Sequence, residues 1–206
     1  MRVISGKAKG RQLFSVPGDS TRPITARVKE ALFDILYQRM AEARVLDLFA
    51  GTGAVGIEAL SRGACEVTFV ERNPKALATV RRNLQVTGLA DHARVVRADV
   101  FKFVTSYKGQ AFDIIHVAPP QYRCLWAQTL RALDSSALLA PDGIAVAQIH
   151  PKEYEPLDLR TLALSDQRKY GSTLLCFYEA QGSPFPSGRD AESCHFLGKG
   201  VPKGLR

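Results

Sequence analysis

The sequence predicts an α/β fold: a doubly wound, mostly parallel seven-stranded sheet carrying a small N-terminal β-hairpin extension. Three observations predict it. From residue 43 onward, short apolar and β-branched runs alternate with stretches of helical period, the signature of parallel strands joined by crossover helices. The first of those runs ends in Gly51-Thr52-Gly53-Ala54-Val55-Gly56, a glycine-rich strand-to-helix turn. The last two runs, residues 159–170 and 172–179, are separated by Gly171 and read as an antiparallel pair closing one edge.

The elements follow in order. Residues 2–16 form a short basic hairpin around Gly6-Lys7-Ala8-Lys9-Gly10, broken by Pro17-Gly18. Thr25 is placed to cap a helix of about 15 residues whose apolar face is Val28, Leu32, Ile35 and Leu36. The first strand covers residues 44–49, and a helix over 54–62 is stopped by Gly63. Residues 66–71 are the second strand. Asn73-Pro74 then reads as a cap with proline in the first helical position, and Leu77, Val80 and Leu84 are the buried stripe before Gly88. Strands over 94–98, 112–117 and 143–149 follow, with a leucine-bearing helix over 125–139 between the last two.

With 206 residues, 46% hydrophobic and 23% charged, the chain can bury one sizeable core. That composition excludes a wholly disordered chain, a collagen-like repeat and a disulfide-stapled miniprotein. Cys65, Cys124, Cys176 and Cys194 lack metal-ligand spacing, so free thiols and no metal site are expected. No stretch approaches the roughly 18–20 apolar residues of a membrane span, and residues 1–7 lack a signal peptide's apolar region, so a cytoplasmic location is expected.

The formal charge is +8, and its distribution is uneven. Residues 1–31 carry seven basic and two acidic side chains, residues 181–206 four and two, and the 149 residues between them 17 and 16. A near-neutral core with basic ends is compatible with solubilising tails or with an arm that touches phosphates.

Doubly wound sheets bind ligands beyond the carboxyl ends of their strands. Gly51, Gly53 and Gly56 satisfy the G-x-G-x-x-G pattern there, and Glu71 ends the next strand, so a dinucleotide is one candidate ligand. Asp47 argues for another. A carboxylate four residues before the first glycine repels a pyrophosphate and suits a ligand bearing an ammonium and a sulfonium, which is S-adenosylmethionine. Glu71 has the two acceptor oxygens that a pair of ribose hydroxyls requires. Asp99, after the third strand, can accept from an adenine amino group. Phe49, Arg72 and Val100 flank these acids and are assigned to the same ligand.

The segment 47–56 resembles motif I of class I methyltransferases, which have a Rossmann-like fold. More specifically, Arg22-Pro23-Ile24-Thr25-Ala26-Arg27-Val28-Lys29-Glu30-Ala31-Leu32-Phe33, together with Glu58-Ala59-Leu60-Ser61-Arg62-Gly63-Ala64, resembles the RsmD family. The likeness covers roughly residues 2–180. It implies methylation of the exocyclic N2 of a guanine in 16S ribosomal RNA, with S-adenosylmethionine as methyl donor. It also implies a basic RNA-facing hairpin (1–20) and a methyltransferase domain (21–180); beyond residue 180 the Gly, Pro and Ser content rises with no periodicity, so a disordered tail (181–206) is expected. Lys7, Lys9, Arg11, Arg22 and Arg27 become the expected RNA contacts, within a small-subunit assembly particle, for a chain expected to be monomeric.

The catalytic loop departs from the family pattern, which is Asp or Asn, then Pro-Pro, then Phe or Tyr. Here it reads Ala118-Pro119-Pro120-Gln121-Tyr122. A guanine amine is a weak nucleophile because its lone pair is delocalised into the ring. Acceptors aimed at its two protons help localise that pair, and an aromatic ring stacks on the extruded base. Ala118 removes one side-chain acceptor, leaving backbone carbonyls and the Gln121 amide, with Tyr122 to stack. His116 reads as a packed strand histidine. A non-catalytic RNA-binding relative and a nicotinamide-dependent oxidoreductase are the competing classes.

Overall fold

The computed structural model describes residues 1–18 and 24–181. Arg22 and nearly all of the 181–206 tail, including Cys194, lie outside the described residues. The elements are α1 (Ala26–Ile35), β1 (Arg44–Leu48), α2 (Ala54–Ser61), β2 (Glu66–Glu71), α3 (Pro74–Thr87), β3 (Ala93–Arg97), α4 (Val100–Ser106), β4 (Phe112–Val117), α5 (Leu125–Asp134), β5 (Leu139–Ile149), β6 (Leu162–Tyr170) and β7 (Thr173–Ala180). The seven strands form one open sheet in the order β3-β2-β1-β4-β5-β7-β6. Pairing is parallel from β3 to β5, and β7 runs antiparallel to both β5 and β6.

Local chemistry sets most boundaries. The Thr25 hydroxyl accepts from the Val28 amide at 3.3 Å and starts α1, as expected. The helix stops after 10 residues, short of the expected length, and passes into a 3-10 turn at Tyr37–Arg39. Ile35 therefore lies at its end and is exposed, while Val28, Leu32, Phe33 and Leu36 are buried. Asn73 caps α3 and Pro74 opens it, and Gly88 at φ 71° closes it in the left-handed conformation that favours glycine. β5 starts at Leu139, earlier than the turn residues Pro141-Asp142-Gly143 indicate, because its first residue already pairs with Phe112 across a register shift. α4 was not legible; its cap is Asp99.

Helices α1, α2 and α3 cover one face of the sheet and α4 and α5 the other, giving two apolar clusters. Val28, Leu32, Ile57, Phe69 and Val80 belong to the first, and Val104, Trp126, Leu130, Ile115 and Cys176 to the second. Burial pushes the Cys176 thiol up to about 11, so it packs as an inert apolar group.

The two arms of the N-terminal segment pair as a short hairpin: the antiparallel bridge of Arg2 with Gln12 is flanked by hydrogen bonds from the Val3 amide to the Arg11 carbonyl (3.0 Å), from the Gly10 amide to the Val3 carbonyl (2.9 Å) and from the Leu13 amide to the Met1 carbonyl (2.8 Å). The hairpin is also fastened to the core. Val3, Ala8 and Leu13 are buried in the first apolar cluster. The Ile4 and Ser5 amides both donate to the Glu58 carboxylate at 2.9 Å, and the Lys7 amide donates to the Ser61 carbonyl at 2.8 Å. Gly6 passes so close that a Cβ would lie 1.7 Å from the Ser61 carbonyl oxygen. Further on, Asn83 of α3 accepts from the Phe14 amide at 2.7 Å while its own amide donates to the carbonyls of Phe14 and Thr52.

Candidate active site

The strand order reverses between β1 and β4, and a cleft of about 940 Å³ opens beyond the carboxyl ends of the parallel strands. Its floor and walls include Asp47, Phe49, Gly51, Glu71, Arg72, Asp99, Val100, Ala118, Pro119, Pro120 and Gln121. Cofactor contacts and catalytic loop, assigned separately in sequence, thus share one cavity, although Gly53 and Tyr122 are not in its lining.

The β1–α2 loop is built from left-handed residues: Phe49, Gly51 and Gly53 have φ of 60°, 56° and 75°. Phe49 holds that conformation despite its Cβ, a strained position of the kind found at ligand clamps. Gly56 has a different role from its neighbours. A Cβ there would lie 2.3 Å from Phe69 Cε1, so this glycine lets α2 pack on β2 and does not face the cleft.

Each acid has a structural task that the sequence did not show. Asp47 is buried; its Oδ2 accepts from the Gly56 amide at 3.1 Å and its Oδ1 from His116 Nδ1 at 2.9 Å. The carboxylate oxygen is the acceptor in this contact and Nδ1 the donor, and Nε2 has no hydrogen-bond partner among the described residues. His116 is the buried strand histidine expected, and it also lines the cleft. Glu71 Oε2 accepts from the Gly51 amide at 3.1 Å, and Oε1 from the Arg72 and Asn73 amides at 2.9 and 2.8 Å. Asp99 uses Oδ1 to cap α4, accepting from Phe101 and Lys102 amides at 3.0 and 3.3 Å.

Charge is layered by depth. Asp47 is buried and Glu71 and Asp99 half-buried, whereas Arg27, Arg72 and Arg123, which also line the cleft, are exposed. An acidic interior under a basic rim favours a cationic ligand within and a polyanion across the mouth. Lys7, Lys9 and Arg11 are exposed too, but the turn bearing Lys7 is tied to Ser61 at the carboxyl end of α2. The glycine loop is at the other end, about 12 Å away along the helix axis.

Tyr122 is not part of the cleft lining. It is 67% exposed with φ 62°, its amide donates to Glu153, and its ring lies 5.5 Å from that of His150. Residues missed in the sequence complete the cavity: Arg123, Gln148, and the β6–β7 turn at Tyr170, Gly171, Ser172 and Thr173. The Pro141-Asp142-Gly143 signal located β5, but nothing marked Gln148 at its far end.

The fold and the site together define a Rossmann-like methyltransferase. A family model described as conserved hypothetical protein 95 matches residues 1–179, and the chain belongs to that family, in agreement with the RsmD resemblance. "Putative rRNA methyltransferase YlbH" of Bacillus subtilis is 40% identical over 185 residues, covering 88% of this chain and all (100%) of the relative. "Ribosomal RNA small subunit methyltransferase D" of Escherichia coli is 33% identical over 184 residues, covering 88% and 92%. Among solved structures, "Putative methyltransferase yhhF from Escherichia coli" superposes with a TM-score of 0.78 at 32% identity, covering 89% and 99%.

Proposed function

We propose that the protein transfers a methyl group from S-adenosylmethionine to the exocyclic N2 of a guanine in 16S ribosomal RNA, acting as a monomer in the cytoplasm on a small-subunit assembly particle. The observation that carries this reading is the layered cleft: three acids within, three arginines at the rim, and the Ala118-Pro119-Pro120 loop between them. The relatives named as ribosomal RNA methyltransferases support the substrate class.

The residues fit the donor. Bound there, S-adenosylmethionine supplies an electrophilic methyl group on a sulfonium. Each Asp47 oxygen accepts one protein donor, and its buried charge acts on that cation from beneath. Glu71 accepts a ribose hydroxyl at Oε2, which holds only the Gly51 amide, while Oε1 holds the Arg72 and Asn73 amides. Asp99 offers Oδ2 to an adenine amino group, its Oδ1 being the helix cap, and Phe49 and Val100 supply apolar walls. A backbone carbonyl of the Ala118-Pro119 pair accepts from one proton of the target amine, and the in-line approach that this helps enforce is the main source of rate. Tyr122 stacks on the extruded base after its ring leaves His150. Arg27, Arg123 and the Lys7–Arg11 turn contact phosphates, and Arg22 is assigned the same role from its place in the sequence.

The test is methyl transfer to small subunits lacking the modification, with labelled S-adenosylmethionine and nucleoside mass spectrometry of the product. Label in N2-methylguanosine supports the reading. Tight binding of S-adenosylhomocysteine without transfer identifies a non-catalytic relative instead.

A further inference from the structure

Position 118 lacks a side-chain acceptor, yet Gln148, which lines the cleft, carries a buried amide oxygen that no group among the described residues satisfies. Four buried side-chain polar atoms among the described residues have no hydrogen-bond partner: Arg44 Nε, Thr68 Oγ1, His116 Nε2 and Gln148 Oε1. Only His116 and Gln148 line the cleft. A buried carbonyl oxygen without a donor forfeits the hydrogen bonds it had in water, so such atoms in native proteins are accounted for by a ligand, a water or strain.

The strand register separates the two. His116 lies within the ladder, opposite Asp47 on one side and Val146 on the other, and its Nδ1 is committed to Asp47. His116 also lines a small second cavity with Leu32 and Val45. Gln148 is level with the loop. Val117 pairs with Ala147, so continuing the parallel register by one residue sets Gln148 beside Ala118. Neighbouring strands are about 4.8 Å apart, and side chains at paired positions leave the sheet on the same face. An amide on a two-methylene stem at position 148 therefore covers the space that a longer side chain at 118 would occupy.

We propose that Gln148 is a catalytic residue: its amide oxygen accepts a hydrogen bond from the target amine and replaces the acceptor that Ala118 cannot supply. The role rests on the guanine-N2 reading above. As the amine lone pair forms the nitrogen–carbon bond, the carbon–sulfur bond breaks and its electron pair stays on sulfur, giving S-adenosylhomocysteine. The amide holds one N–H in place and does not take the proton; the methylated amine releases it to water in the open cleft. Acceptance by Gln148 orients the nitrogen lone pair toward the methyl carbon and favours a nucleophile that can donate a hydrogen bond over a ring carbon.

Single-turnover transfer to unmodified small subunits tests this with Gln148→Leu, Gln148→Ala and the double variant Gln148→Leu/Ala118→Asn, alongside calorimetry with S-adenosylhomocysteine. Both single variants are expected to slow transfer about tenfold or more, with affinity for S-adenosylhomocysteine unchanged. The double variant, which returns an acceptor from the neighbouring strand, is expected to recover most of the rate. Transfer at the unsubstituted rate in both single variants overturns the proposal. So does a rate loss that Asn at position 118 leaves uncorrected. If the unsubstituted protein itself transfers nothing to guanine, the substrate reading fails first, a result distinguishable because it precedes any substitution at 148.

Discussion

Lys29 Nζ lies 2.7 Å from Glu58 Oε2, with the two side chains 1% and 0% exposed. These residues belong to the two sequence blocks that carry the RsmD resemblance, so the blocks meet in space as a buried ion pair and not as an RNA contact. Glu58 also receives the Ile4 and Ser5 amides and Arg62 Nε, and Lys29 Nζ donates to the Arg2 carbonyl at 2.8 Å. The pair therefore docks the basic N-terminal segment on α1 and α2.

Glu58→Gln removes one charge and leaves Lys29 buried and uncompensated. Breaking such a pair is expected to destabilise by about 3–5 kcal/mol. Urea unfolding should show it, and hydrogen exchange at the Ile4 and Ser5 amides should quicken before that of the β1 core. A loss below 1 kcal/mol, with those amides still protected, contradicts this docking role.

Acid should act through the same carboxylate. Desolvation opposes ionisation of Glu58, but its hydrogen bonds to Lys29, Ile4 and Arg62 prevail and hold its carboxyl below the usual value of 4.5. Asp134 is likewise held below 3.8, despite desolvation, by the Arg160, Thr161 and Leu162 amides and the Thr161 hydroxyl. A carboxyl depressed in the folded state contributes stability above its unfolded value and loses it as pH falls through the folded value. Stability is therefore expected to be flat in these groups above pH 4.5 and to fall progressively below it. In Glu58→Gln the decline is expected to be shallower, as denaturant melts across the acid range would show.

The glycines of the loop should separate by effect. Gly56→Ala forces a Cβ against Phe69 and is expected to destabilise by about 1–3 kcal/mol with little change in cofactor affinity for the folded fraction. Gly51→Ala, at φ 56° within the cleft lining, is expected to weaken S-adenosylhomocysteine binding about tenfold or more. Thermal melts and calorimetry on both variants would distinguish the two roles, and equal effects on binding would contradict the assignment.

Reversing charge at Lys7, Lys9 and Arg11 is expected to weaken RNA binding and to reduce the slope of log affinity against log salt by about one per lost phosphate contact. S-adenosylhomocysteine affinity should not change, because the turn is fastened at the far end of α2. An unaltered salt slope would remove these residues from the RNA surface.

Tyr122→Ala is expected to lower transfer by about 10- to 100-fold if the ring stacks on the base, with cofactor affinity intact. The ring now rests by His150, outside the cleft lining. Undiminished transfer would assign it to the loop alone.

Much of the fold was legible because each parallel strand is bounded by its own punctuation: Gly63 after α2, Asn73-Pro74 at α3 and Gly88 at its end. Helix α4 escaped because it has only seven residues, and its cap, Asp99, also reads as a ligand acid. The acids of the cleft were found by their strand ends, yet their partners were not, since Asp47–His116 and Glu71–Gly51 are contacts between separate elements. Gln148 was invisible for the same reason. Its meaning comes from the β4–β5 register, which no local pattern encodes.

The guanine-N2 assignment meets its most direct test in nucleoside mass spectrometry of 16S ribosomal RNA from cells lacking this protein, with and without its return on a plasmid. One N2-methylguanosine is expected to disappear on deletion and to reappear with the unsubstituted protein. An identical methylation pattern in both strains would contradict the assignment.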